Sequence, residues 1–268
     1  MSRTALFWGI ILILVGILLL LDNLGLLPTS AWQIIWPLAL VALGAWIMWR
    51  AFGRQPTPSP LEERHIAIPL EGTERAHLRI QHGAGRLQVS AGAEPGHLLT
   101  GDVASGIDSS SRKEGITLRV NLRGRVDGIP WFPWFEGRSP LDWDLRLTDS
   151  IPLAIELETG ASDSQLDLTD VRVIDLTLRT GASATRLTLP ALAGTTRVDI
   201  HSGAASVAVR VPDGVEARIK VRGGLSGVSV NRRRFARTNG TYQSSGYAQA
   251  TNRVDIDAEV GVGSLDIR

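Results

Sequence analysis

Two patterns of apolar residues divide the chain. Residues 4–21 (TALFWGIILILVGILLLL) run for 18 positions without a charge, and 23–49 is a second uncharged stretch, most apolar over 32–49 (WQIIWPLALVALGAWIMW). Each apolar core spans about 26 Å as a helix, against about 30 Å of hydrocarbon. Interfacial residues must complete each span, and tryptophan does so. Trp8 lies near one end of the first helix, Trp32 and Trp36 open the second, and Trp46 and Trp49 close it. The link 22–30 (DNLGLLPTS) holds turn formers and a Thr-Ser helix-start signal. The expectation is an antiparallel hairpin of two transmembrane helices over 4–52. Gly9, Gly16 and Gly44 allow close helix contact, and Pro37 is tolerable inside a packed membrane helix.

From Ile66 onward the period changes from helical to two. Strand, small-residue turn and strand recur in 78–90 (LRIQHGAGRLQVS), 155–168 (IELETGASDSQLDL), 176–189 (LTLRTGASATRLTL), 198–211 (VDIHSGAASVAVRV), 219–230 (IKVRGGLSGVSV) and 256–267 (IDAEVGVGSLDI). The turn glycines Gly160, Gly181, Gly203 and Gly224 follow one another at 21, 22 and 21 residues. Gly83 and Gly261 take the same place in the first and last units. This is an internal repeat, and it fixes the fold class as all-β. The inward set is Leu153, Ile155, Leu157, then Ile174, Leu176, Leu178, then Val198, Ile200, then Val215, Ala217, Ile219 and Val221. Returning halves add Leu166/Leu168, Leu187/Leu189, Val207/Val209 and Val228/Val230. One unit cannot bury its apolar side alone; stacking units about 4.8 Å apart closes a continuous core. The expectation over 65–268 is a β-solenoid or a closely related rack of stacked β-hairpins. Glycine at each corner would supply positive φ, and its small neighbours would let the corners stack.

Two regions break the period. One is an insertion over 102–143, with a Ser-rich loop and the cluster Trp131-Phe132-Pro133-Trp134-Phe135. The other, 231–253, opens NRRRFAR, carries the hairpin signal Asn239-Gly240 and is expected to cap the stack. Between anchor and repeat, residues 53–64 carry prolines 56, 58 and 60, an extended spacer that holds the next domain near the bilayer.

Charge sharpens this division. Only Arg3, Asp22, Arg50 and Arg54 are charged in the first 54 residues; the other 51 of 55 charges fall in the remaining 214. Arg3, Arg50 and Arg54 flank the hairpin while its turn holds only Asp22, so the positive-inside rule places both termini in the cytoplasm. A signal peptide would need a cleavage site, yet a second span follows at once. Asp22 reads as a solvated turn residue at a span's end. A net charge of +1 excludes a dedicated nucleic-acid binder, and the absence of cysteine excludes disulfide scaffolds and thiolate metal centres.

Candidate chemistry is sparse. The aromatic run Trp131, Phe132, Trp134 and Phe135 could meet headgroups or a partner; the simpler account is a cover over an open end of the core. Arg232, Arg233, Arg234 and Arg237 form the densest basic run, able to touch anionic lipid at about 1 kcal/mol per near-surface charge; a solvated hairpin end is the plainer reading. His65, His77, His82, His97 and His201 lack metal-ligand spacing, and His82 and His201 precede the small-residue turn, where a half-exposed corner is expected. Asp163, Asp167, Asp170 and Asp175 could line a calcium or glycan-cleaving cleft, but alternation puts most of them on the solvent face. No P-loop, Rossmann fingerprint or nucleophile elbow occurs. No enzyme activity, cofactor or metal is expected.

The motifs ILILVGILLLLDNLGLL and WQIIWPLALVALGAW resemble the LiaI-LiaF-like transmembrane region, over about 4–52. The run IPLAIELETGASDSQLDL and its repeats are similar to the toast-rack and adhesin-like C-terminal domains of LiaF-type proteins, over about 66–268. The resemblance implies a bacterial membrane protein with a cytoplasmic β domain, acting with a membrane histidine kinase in envelope-stress signalling and without catalytic residues. The lipid bilayer and such a kinase are therefore the expected partners. The alternative is a structural or adhesive β-solenoid whose exposed strand edges stack copy on copy into an oligomer.

Overall fold

The structure, a computed structural model, describes residues 64–103, 107–124, 141–223 and 226–268. The expected hairpin over 4–52 with Trp8, Trp32, Trp36, Trp46 and Trp49, the linker up to Glu63, the cluster 131–135 and Gly224 lie outside the described residues. The chain divides at Pro60/Leu61, inside the expected linker.

Every regular element among the described residues is a strand. The repeat units are β2 (Arg75–Ala91), β7 (Leu153–Asp167), β8 (Val173–Thr180) with β9 (Ala184–Thr188), β10 (Thr195–Arg210), β11 (Glu216–Gly223) with β12 (Ser226–Val230), and β15 (Arg253–Ile267). Each has an ascending arm, a corner and a returning arm. The two arms of a unit do not pair with each other. Each pairs in parallel with the matching arm of the neighbouring unit, so ascending arms build one sheet (I) and returning arms another (II). The result is a two-sided coil of parallel rungs rather than a rack of antiparallel meanders.

Register aligns the inward residues in columns. Sheet I carries Leu78, Ile155, Leu176, Val198, Ile256 and Ile219 side by side; sheet II carries Val89, Leu166, Leu187, Val209, Ile267 and Val230. All but Val230, on the last rung, are buried. At about 1.5–3 kcal/mol for each such side chain, this double column is the main force holding the rungs together. Ile174 departs from the expected set. A register shift between Leu153 and Ala154 leaves it as the extra, outward residue, and Val173 fills the core position instead.

The stacking order is not the sequence order. In space the rungs run β2, β7, β8/β9, β10, β15, β11/β12, so the C-terminal strand lies between two rungs that precede it in the chain. The expected insertion over 102–143 is largely fold. β5 (Thr117–Gly124) and β6 (Trp143–Leu147) are the two arms of a further rung beside β2; residues 125–140, between those arms in the sequence, lie outside the described residues. Antiparallel strands finish this end: β3 (His97–Val103) on β6, β1 (Arg64–Pro69) on β3, and β4 (Ile107–Glu114) on β5. At the other end β13 (Ala236–Thr238) and β14 (Thr241–Gln243) form a hairpin through Asn239-Gly240, both at positive φ, and β14 covers the edge of β11.

Candidate functional site

The corners set the geometry of the outer surface. None of Gly83, Gly160, Gly181, Gly203 and Gly261 has φ in the left-handed region. The expectation of positive φ therefore fails, while the expectation of small residues for stacking holds. A Cβ on Gly160 would run into the carbonyl oxygen of Gly83; one on Gly181 would sit 3.0 Å from Gly160 O, and one on Gly261 2.8 Å from Gly203 O. The corners are glycine because each backbone rests on the next.

Beside this smooth corner, outward side chains of sheet I form charged ladders. Glu158, Arg179, His201, Glu259 and Arg222 occupy one register position on successive rungs and, with Gly181, Gly203 and Gly261, line a shallow groove of about 720 Å³. Glu158 accepts hydrogen bonds from Gln81 Nε2 and from the Arg79 guanidinium, both at 2.7 Å, and the Gln81 bond foremost holds its carboxyl below the usual range. Further along, Arg218, Lys220 and Arg222 of β11 lie beside Asp255, Asp257 and Glu259 of β15. Arg218 Nε reaches Asp255 Oδ1 at 2.7 Å and Arg222 reaches Asp257 Oδ1 at 2.8 Å. On the far side of β15, His201 lies 3.6 Å from Glu259. If β11 lay directly on β10, Arg218 and Arg222 would face Arg197 and His201. The acidic strand between them sets Asp255 between Arg218 and Arg197, while its Asp257 faces Asp199 on the β10 side and Lys220 on the other.

The C-terminal end divides the basic run. Arg232, Arg233 and Arg237 are exposed, with Arg237 over the Tyr242 ring at 5.4 Å. Arg234 faces inward, which corrects its expected place among surface contacts. Its guanidinium donates to the carbonyls of Val211 (2.6 Å), Pro212 (2.5 Å) and Val215 (2.9 Å) and lies over the Phe235 ring. Phe235 is fully buried and closes the interior here. Nearby, Tyr247 donates to Asp255 at 2.6 Å, and burial first, that bond second, raises the phenol above its ordinary range.

The start of β6 packs on His82, which is 3% exposed and not the half-exposed corner residue expected. It continues the inward phase of Leu78 and Ile80, whereas His201 follows inward Ile200 and points out. His82 Nε2 lies 2.8 Å from Leu141 O, its ring meets Trp143 edge-on at 5.0 Å, and burial lowers its pKa. Asp142 accepts from Arg86 N at 2.9 Å.

The carboxylates do not converge. Asp163 and Asp167 face solvent on sheet II, where Asp163 pairs with Arg186 at 3.2 Å and Asp167 accepts from Thr169 Oγ1 at 2.6 Å. Asp170 is in a turn. Asp175 lies on sheet I, its pKa raised by burial first and by Asp199 next. No group of three or more His, Asp or Glu able to hold a metal occurs among the described residues.

These features define a β-solenoid presenting charged ladders and structured ends. The model of the N-terminal domain of toast_rack, DUF2154, matches residues 57–210, more than half of the chain, and the chain belongs to this family. The LiaI-LiaF-like transmembrane region matches residues 6–48, which makes the N-terminus membrane-associated. No curated protein matches the chain. Among solved structures, a candidate cell adhesion protein from Clostridium sporogenes ATCC 15579 is similar at a TM-score of 0.67 and 21% identity, covering 77% of this chain and 98% of that one. At that identity the likeness concerns the fold.

Proposed function

We propose that this chain is a non-enzymatic regulator, anchored by two membrane spans with both termini in the cytoplasm, that acts on a membrane sensor histidine kinase in envelope-stress signalling. The observation that carries this reading is the union of a LiaI-LiaF-like transmembrane region with a toast-rack domain. The domain supports it: charged groups of sheet I such as Arg79, Arg218 and Arg222 pair with carboxylates of neighbouring rungs, and none converge on a reacting centre among the described residues. In this reading the anchor binds the kinase's transmembrane helices, and the aromatic segment 131–135 with Arg232, Arg233 and Arg237 contacts the partner or anionic headgroups.

The test is affinity purification of the full chain from membranes in mild detergent. Recovery of a sensor kinase, with altered kinase output on deletion of the chain, is expected; recovery of no membrane partner would sink the proposal. Labelling a cysteine placed at Ser59 tests the side of the membrane. Labelling from outside intact cells would overturn the cytoplasmic assignment and favour an adhesive role instead.

A further inference from the structure

We propose that copies of this chain associate head to tail, the edge of β12 in one copy receiving β1 of the next. The proposal does not depend on the kinase reading. It starts from unequal ends. Among the described residues, sheet I continues beyond β15 through β11, β14 and β13, while sheet II continues through β12 alone, so sheet II is recessed there by two strand widths. Beyond β2 the imbalance is reversed: sheet II continues through β6, β3 and β1, sheet I only through β5 and β4, so sheet II projects by one strand. A projection on the same sheet as a recess is the shape of a heterologous contact, which repeats instead of closing. The remaining difference of one strand, about 5 Å across sheets about 10 Å apart, bends such a stack toward sheet II.

The edge chemistry of β12 agrees, and in β1 (RHIAIP) the contact falls on Ile66–Ile68, between Arg64 and His65 on one side and Pro69 on the other. β12 (SGVSV) has no charge and no proline, the usual guards of a free strand edge. Asn231 N–H bonds to Ile267 O, so in this parallel pair Val228 and Val230 direct their own N–H and C=O groups to the unpaired side. Val228 is 40% exposed although its side chain lies on the inward column. β1 runs antiparallel to β3 and β3 antiparallel to β6, so β1 points the same way as every rung and as β12. Its alternation is in phase: with Val228 opposite Ile66 and Val230 opposite Ile68, both apolar pairs face inward and Ser229 meets Ala67 on the outer face. Charge is complementary past the strand ends, where exposed Arg232 and Arg233 follow β12 and exposed Glu71 and Glu74 follow β1. A two-fold contact of β12 with β12 fits worse, because the projecting hairpins of both copies would collide.

The native chain has no cysteine, which makes the test direct. The full chain carrying Ala67→Cys and Ser229→Cys is reconstituted in liposomes and oxidised. The two positions are about 40 Å apart within one copy, eight strand spacings, so they cannot bridge internally. A ladder of cross-linked species beyond the dimer is expected. The single variants should stay monomeric, and their mixture should stop at dimers. Val228→Pro on the double background should remove the ladder. Should that variant misfold, Arg232→Glu/Arg233→Glu should weaken the ladder and Glu71→Arg/Glu74→Arg in the same chain should restore it. Absence of a ladder from natively folded double variant, with His65→Cys replacing Ala67→Cys also failing, overturns the proposal. So does dimerisation of Ser229→Cys alone, which would mean a two-fold contact.

Discussion

Alanine at the corner glycines should destabilise the protein in an order set by the spacing between rungs. The perturbation is one methyl group, and none of these glycines uses left-handed φ, so backbone strain drops out of the comparison. Two terms oppose each other. Alanine restricts the unfolded chain more than glycine, worth about 0.5–1 kcal/mol in favour of the folded state. Against it stands the clash with the rung below. At Gly203 the new Cβ would lie 3.3 Å from Gly181 O, a distance a shift of a few tenths of an ångström relieves, so the net change should be near zero. At Gly181 the distance is 3.0 Å and at Gly261 2.8 Å, giving intermediate losses. At Gly160 the Cβ would overlap the Gly83 carbonyl, and separating two rungs costs about 1–3 kcal/mol as overpacking. Gly83, with nothing within 4 Å of its added Cβ, is the internal control. Guanidinium denaturation followed by the far-ultraviolet β signal reads the series. Equal losses at Gly160, Gly203 and Gly83, or a reversed order, would refute the claim that backbone stacking selects glycine.

Reversing charge at one rung contact, by Arg222→Glu or Asp257→Arg, should each cost up to about 1 kcal/mol, since the pair is exposed, and the double reversal should recover most of it; denaturation midpoints decide, and no recovery would mean the charges do not specify strand order. Phe235→Ala should lose about 3–5 kcal/mol as a core truncation, and Arg234→Ala about 2–3 kcal/mol through three orphaned carbonyls, whereas Arg233→Ala should be neutral by the same assay. His82 has a pKa lowered by burial, so the unfolded chain binds the proton more readily. Its contribution to stability is complete above the unfolded value of about 6.5 and declines as pH falls from there toward the folded value. His82→Gln should flatten this decline, and identical pH profiles for the two proteins would count against the assignment.

Period-two alternation in the sequence was enough to place Ile155, Leu157, Leu176, Ile200 and Val209 in the core, and the 21–22-residue glycine spacing to stack their rungs. It misplaced Ile174, because a one-residue bulge at a strand start changes the phase without a mark in composition. The rung made by β5 and β6 was hidden because the 125–142 segment separates its arms; buried Trp143 beside Asp144-Leu145-Arg146-Leu147 was the available signal. Arg234 was indistinguishable from its neighbours, since only the turn at Asn231 decides which arginine of four points inward. The site of β15 was legible in principle: three cations at 218, 220 and 222 match three acids at 255, 257 and 259 at the same spacing.

That match explains more than strand order. β10 and β11 follow each other in the chain, joined by a short turn, and local closure alone would stack them. At one position their outward charges oppose it, Arg218 against Arg197, and Asp255 of β15 lies between the two; at the next, Lys220 would meet Asp199, where β15 instead sets Asp257 beside Asp199. β15, which follows the other rungs in the chain, thus completes the solenoid from inside, and the hairpin β13–β14 and Phe235 close the end beyond β11. The chain reaches that hairpin by leaving sheet II directly after β12, which is why sheet I is doubly covered at this end and sheet II is not. Among the described residues, the open edge at β12 is thus a consequence of threading β15 inward.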